Sequence, residues 1–195
     1  MEKYNVGDLV ILEYDEAVRK RPGMYFRVGF DSPRFPTNVL EAVAGHALHP
    51  AAAVAFATHT LHSTLDILDD RSFTITTLCP QDLSADGYYD SLLTPEWWLL
   101  AAAAALSDRG VVEVWSDEVG FRQELAGIRP SSPRQLYDAP AGSGLRVELH
   151  LDPAVVGPDF VFPSVQGLDL HGPECDQPAR GGAVVFRDLR EVTYL

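Results

Sequence analysis

Glu16-Ala17-Val18-Arg19-Lys20-Arg21-Pro22-Gly23-Met24-Tyr25 is the most constraining phrase in this chain. Asp15 precedes it where a helix N-cap would accept orphan backbone N–H groups, so a short helix is expected from Glu16. Pro22-Gly23 then ends the turn. Arg19-Lys20-Arg21 is the one dense basic cluster in a chain of 195 residues. Against 15 basic residues stand 28 acidic ones, which leaves a net charge of −13. A surface this acidic repels nucleic-acid phosphate and argues against a general DNA-binding role. One basic triplet reads as a helix-end or ion-pair feature instead.

Working outward, Val6 to Tyr14 is apolar enough for a short strand or an arm. Phe30 to Pro36 reads as a loop. Thr37 is a second N-cap candidate, opening an amphipathic helix with Val39, Leu40, Val43 and Ala47 on its buried side. Pro50 should break it, and a further alanine-rich helix is expected over Ala51 to Leu65. Ser72 to Leu78 alternates and is rich in β-branched residues, as a strand should be. Gln81 to Asp90 is polar and loop-like. Thr94-Pro95-Glu96 supplies an N-cap, a proline at the first helical position and an acidic first turn. The helix it opens, Pro95 to Ser107, is apolar on nearly every side and should be buried.

Val111 to Ser116 and Gly120 to Leu125 form a hairpin pattern around Asp117-Glu118. Ile128 to Gly144 is loop-rich, with three prolines. Leu145 to Leu151 alternates as a strand, and Pro163 to Gly182 is a Gly/Pro-rich excursion. Ala183 to Phe186 reads as a last strand and Asp188 to Leu195 as a last short helix. Helices and strands mixed in this order fit a single α+β domain over residues 1–195. Its architecture should be a two-layer α/β sandwich, with a mostly antiparallel mixed sheet covered on one face by helices.

The N-terminus lacks the apolar core of a secretory signal, and no run reaches the roughly 18 apolar residues of a membrane span. The two cysteines, Cys79 and Cys175, lie far apart and read as free thiols. A cytoplasmic protein without membrane attachment is expected.

The phrase Glu16 to Tyr25 closely resembles the opening of the ATPase domain of the DNA gyrase B protein and of its topoisomerase IV counterpart. The order of elements resembles the same GHKL (Bergerat-type) fold, shared with the large heat-shock chaperone and sensor histidine kinases. Ala104-Ala105-Leu106-Ser107 before the hairpin and the terminal Asp188-Leu189-Arg190-Glu191 add weaker matches. The resemblance implies an ATP site on the first long helix and the neighbouring strand ends. It also implies that Met1 to Tyr14 is either a dimer-exchange arm or an added edge strand.

Carried over residue by residue, the resemblance puts the water-activating glutamate at Glu41. It puts the magnesium-ligating asparagine at Gly45, which has no ligand atom. The adenine-binding aspartate falls on Thr77 or Leu78, and no glycine-rich turn follows. A threonine offers one weak hydrogen bond where the family has a carboxylate. The phosphate-wrapping lid corresponds to Leu93-Thr94-Pro95-Glu96-Trp97-Trp98. This stretch has no glycine to let the backbone approach an anion, and Glu96 adds a repelling charge. Ser143 is a near match for the threonine that supports the adenine-binding carboxylate. The family's transducer domain is not expected after Leu195. A charge-assisted hydrogen bond to the nucleotide or its metal is worth about 1.5–3 kcal/mol, so the absence of several together argues against micromolar ATP binding.

Every sharp reading has a bland counterpart. Glu41 is either a relic general base or a polar residue lining a pocket. His46 with His49, and His59 with His62, each lie three residues apart on an expected helix. With Asp66 they are weak candidates for a zinc site, and helix-end histidines are the commoner outcome. Trp97, Trp98 and Trp115 either face an aromatic ligand or pack in the core, with Trp97 placed to cover the old nucleotide pocket.

The expectation is a non-catalytic pseudo-ATPase without cofactor. It would act as an interaction or regulatory module on a protein partner, either a second copy of itself or a gyrase-type subunit. One alternative is a small-molecule-binding protein using a pocket remodelled around Glu41, Gly45, Thr77, Trp97 and Ser143. A second is a divergent ATPase that binds ATP and magnesium, with Glu41 as its base.

Overall fold

The computed structural model describes residues 12–48, 62–78, 98–116, 118–164, 168 and 183–190. Three helices come first: α1 (Tyr14–Lys20), α2 (Gly23–Phe26) and α3 (Phe35–Leu48). The hairpin strands β1 (His62–Ile67) and β2 (Ser72–Leu78) precede α4 (Trp98–Ala105). Then come β3 (Ser107–Ser116), β4 (Val119–Ala126), β5 (Arg129–Pro130), β6 (Gln135–Asp138) and β7 (Ser143–Leu151). A single turn, α5 (Pro153–Val156), and β8 (Ala183–Asp188) complete the described elements.

The strands form one sheet in the order β5-β4-β3-β7-β2-β1-β8, with β6 also pairing β4. All pairings are antiparallel except β1 with β8. Alternation assigns the two faces. Leu65, Ile67, Phe73, Ile75, Val112, Val114, Leu145, Val147 and Leu149 are buried on the inner face. There α3 packs on β1 and β8, α4 packs on β3 and β7, and the two helices touch. β2 therefore lies beneath the seam between them. The outer face carries Glu113 between Arg122 and Arg146, and Asp66 bridged by Arg187. This is the expected two-layer α+β sandwich.

The sheet has two unlike ends. At the turn end, where β1 meets β2, Phe35 stacks edge-on against Phe26, Phe30 and Phe160. Phe162 continues that cluster to Phe73. α4 also finishes at this end, where Arg19 Nε donates to the Ala105 carbonyl at 2.8 Å. A cation on the last carbonyls of an α-helix satisfies orphan acceptors and complements the helix dipole. Part of the basic triplet is thus a helix-end feature. At the opposite, open end lie Thr77, Ser116 and Ser143, the C-terminus of α3 and the N-terminus of α4.

Several expectations need correction. His62 to Leu65 is strand, not helix: paired on both sides by β2 and β8, it gains two ladders of hydrogen bonds that outweigh its alanine-rich approach. Residues 51–61 of that expected helix lie outside the described residues. Asp15 is not the N-cap, since α1 starts at Tyr14 after Glu13, which makes no side-chain cap. Asp15 instead bonds Arg129 at 2.7 Å. α3 begins at Phe35, ahead of Thr37, because Phe35 is anchored in the aromatic cluster and Pro36 fits a first helical turn. α4 ends at Ala105, and Ser107 already belongs to β3. The stretch from Ile128 to Gly144 adds β5 and β6 to the edge of β4. Asp188 closes β8 instead of opening a helix, and residues 191–195 lie outside the described residues.

Candidate functional site

Thr77, on the inner face near the end of β2, is fully buried. Its Oγ1 lies 2.9 Å from Oγ of Ser63, which stands opposite it on β1. The Thr77 hydroxyl, one of the two positions expected for adenine selection, is therefore engaged inside the sheet. Leu78, the other candidate for that position, is paired with Gly144, faces outward and is largely exposed. On β7, Leu145 lies opposite Thr77. Ser143, two residues before it, is on the same face, and its Oγ is 3.1 Å from Oγ of Ser116 on β3. Two hydroxyl pairs thus span four adjacent strands at the open end of the inner face: Ser63–Thr77 deeply buried, Ser116–Ser143 half-buried. In each pair one hydroxyl donates and the other accepts, and neither pair carries charge.

Glu41 and Gly45 are one helical turn apart on α3 and both half-buried, with Val39, Leu40, Val43 and Ala44 turned into the core. Asn38, one turn before Glu41, donates from Nδ2 to the Phe26 carbonyl at 2.9 Å, while its Oδ1 has no partner among the described residues. The hydroxyl partners of Thr77 and Ser143 are Ser63 and Ser116. Ser63 and Ser116 are not legible as site residues in the sequence, because each acquires its meaning only from register. Ser63 sits in a stretch that reads as helix, and Ser116 ends a strand with nothing to mark its partner.

Trp115 is 4% exposed and lies on the outer face, over Gly144, its partner across β3 and β7. A Cβ on Gly144 would collide with the indole ring. The tryptophan is packing, not a ligand platform, although its Nε1 has no hydrogen-bond partner among the described residues. Trp97, His49 and His59 lie outside the described residues, as do the side chains of His46, His62 and Trp98. His62 begins a strand, so the expected His59/His62 helix face does not form. Among the described residues no group of three histidines, cysteines or carboxylates is placed to hold a metal. Also among them, no helix is long and apolar enough to cross a membrane.

An open depression of about 500 Å³ lies far from these hydroxyls, at the turn end, between Phe30–Pro36 and Val156–Val161. The charged groups with shifted affinities lie mostly at that end. Asp15 is raised by burial, but the Arg129 guanidinium and two backbone N–H groups outweigh this and hold it below the usual carboxylate range. Asp69 behaves alike: burial raises it, while the N–H of Arg71 and the hydroxyl of Ser72 pull it lower. Burial raises the Tyr14 phenol well above its ordinary value, with Tyr25 adding to the effect.

No protein-family model matches the chain, and no curated protein matches it. Among solved structures it is similar to the crystal structure of the B-subunit of the DNA gyrase from Myxococcus xanthus. The TM-score is 0.59 at 19% sequence identity, over 77% of this chain and 46% of that one. The chain thus spans about half the length of that structure. At this identity the likeness shows the fold, which is gyrase-B-like.

Proposed function

We propose that this chain is a non-hydrolysing, gyrase-B-like domain that acts by contact with a protein. The observation that carries this reading is Thr77, one of the two residues, with Leu78, on which the sequence resemblance puts the adenine-binding carboxylate. It is fully buried and paired with Ser63, and its neutral hydroxyl is a weaker acceptor for a base than a carboxylate. Gly45, where the resemblance puts the magnesium-ligating asparagine, has no side-chain donor, so the residues present do not fit the metal of an ATPase. A general base without an anchored electrophile does no chemistry, and Glu41 is then a polar residue on a helix flank.

The test is calorimetric titration with a non-hydrolysable ATP analogue and magnesium. No detectable heat is expected. Micromolar binding would overturn the reading and return Glu41 to the role of base, to be checked by loss of phosphate release in Glu41→Ala. The half-buried Ser116–Ser143 pair supports a second reading, a small uncharged ligand at the open end. A thermal-shift screen of nucleosides and aromatic metabolites tests it, and a flat response would remove it.

A further inference from the structure

Residues 19–34 contain five of the 15 basic residues and one of the 28 acidic ones, a net charge of +4. The remainder, with 10 basic and 27 acidic residues, carries −17. Arg19 is committed to the end of α4. Lys20, Arg21, Arg27 and Arg34 are exposed and have no carboxylate partner among the described residues. They sit on one knuckle: Met24 N bonds the Arg21 carbonyl, and a Cβ on Gly23 would touch the backbone of Val28. Arg27 holds its place with a left-handed φ of 65°. In the middle stands Met24, 70% exposed.

A second knuckle has the opposite character. At the β3–β4 hairpin tip, Glu118 and Asp138 are exposed and unpaired among the described residues, tied together by the bond from Ala139 N to the Glu118 carbonyl. Beside them are Val119, 59% exposed, and Leu136, 82% exposed. The nearby Arg134 lies over the Phe121 ring. This tip is at the open end of β4. The basic knuckle is at the other end, where Asp15 meets Arg129 and Arg19 meets Ala105. Seven residue steps of β4 separate the two ends, about 23 Å.

We infer that the chain associates head to tail with a second copy of itself, the basic Met24 knuckle of one seated on the acidic Leu136 knuckle of the next. This deepens, and rests on, the reading that the domain works through protein contact. Complementary patches at opposite ends of one molecule make a heterologous contact, which repeats into a ring or an open chain. An exposed methionine is a compliant apolar filler for such a contact. The net charge of −13 does not forbid it. At about 0.1 M salt charges are screened beyond about 10 Å, whereas knuckles in contact are closer than that.

Sedimentation velocity over a concentration series tests the inference at about 0.1 M and about 1 M salt. The variants are Arg21→Glu/Arg27→Glu and Glu118→Lys/Asp138→Lys. All four positions are exposed, and unchanged circular dichroism and melting confirm that each variant folds. The native chain should self-associate at the lower salt and dissociate at the higher. Each variant alone should associate at least roughly tenfold more weakly. An equimolar mixture of the two variants should associate again, because each reversed end meets a complementary one. A native chain that stays monomeric at the lower salt overturns the inference, and so does undiminished association of both variants. Neither result depends on nucleotide, so failure here is distinct from ATP binding in the calorimeter.

Discussion

The two ends of the sheet are built from different materials. The turn end is held by rings and buried aliphatic groups, with Phe35 at the centre of Phe26, Phe30 and Phe160. The open end, where a nucleotide would sit in the fold this chain resembles, is held by neutral hydroxyl pairs and a tryptophan on a glycine. One end is secured by burial, which scales with area. The other is secured by register, in which each partner is worthless without its opposite number. Substitutions at the open end therefore leave untouched the material that secures the turn end.

The largest expected effect lies at the turn end. Phe35→Ala removes a ring that is 1% exposed and touches three others. It should destabilise the domain by about 3–5 kcal/mol in denaturant unfolding. A cost below about 1 kcal/mol would mean that the cluster is not what fixes α3 and would erase the contrast between the ends.

Next is Gly144→Ala. Its Cβ would enter the space of the Trp115 indole, and the sheet must shift or the ring must rotate. Overpacking of this kind costs about 1–3 kcal/mol. The diagnostic is coupling: in a Trp115→Leu background the same glycine change should cost much less, since the clash is gone. Equal costs in both backgrounds would show that the glycine serves the backbone and not the ring.

These two sites also mark what is legible in the sequence. The amphipathic pattern of Val39, Leu40 and Val43 and the alternation of Leu145 to Leu151 report burial directly, because the period of the apolar residues is the period of the element. The fold is legible for that reason. β1 is not. His62 to Ile67 follows an alanine-rich run, and its pairing with β2 and β8 is a tertiary fact that local propensity does not carry. With β1 read as helix, Ser63 cannot be seen as the partner of Thr77. Gly45 and Thr77 are visible as letters, whereas the internal engagement of Thr77 needs the register of two strands.

A smaller effect tests that register. Thr77→Val keeps the shape and removes the hydroxyl, leaving Ser63, 3% exposed, without its bond. The expected loss is about 1–2 kcal/mol. The double variant Ser63→Ala/Thr77→Val should recover most of it, because a buried pair replaced on both sides leaves nothing unsatisfied. If the double variant is worse than the sum, the two hydroxyls serve something besides each other, and the small-ligand reading gains ground.

The smallest effect returns to the turn end. Asp15, Asp69 and Asp188 all hold their carboxyls below the ordinary value of 3.8 in the folded chain. A depressed folded affinity means that the unfolded chain binds more protons as pH falls into the carboxylate range. The stability these groups contribute is complete above that range and is lost as pH drops through the folded values. Stability should therefore fall below about pH 4. Asp15→Asn removes one contributor. Because Arg129 is mostly exposed, the change at neutral pH should be about 1 kcal/mol or less. Its signature is a flatter acid limb in a melting-temperature profile, with the neutral plateau little altered. An acid limb as steep as that of the native chain would show that the Asp15–Arg129 bridge does not help to hold α1 on the sheet. The turn end would then rest on its aromatic rings and the Arg19 cap.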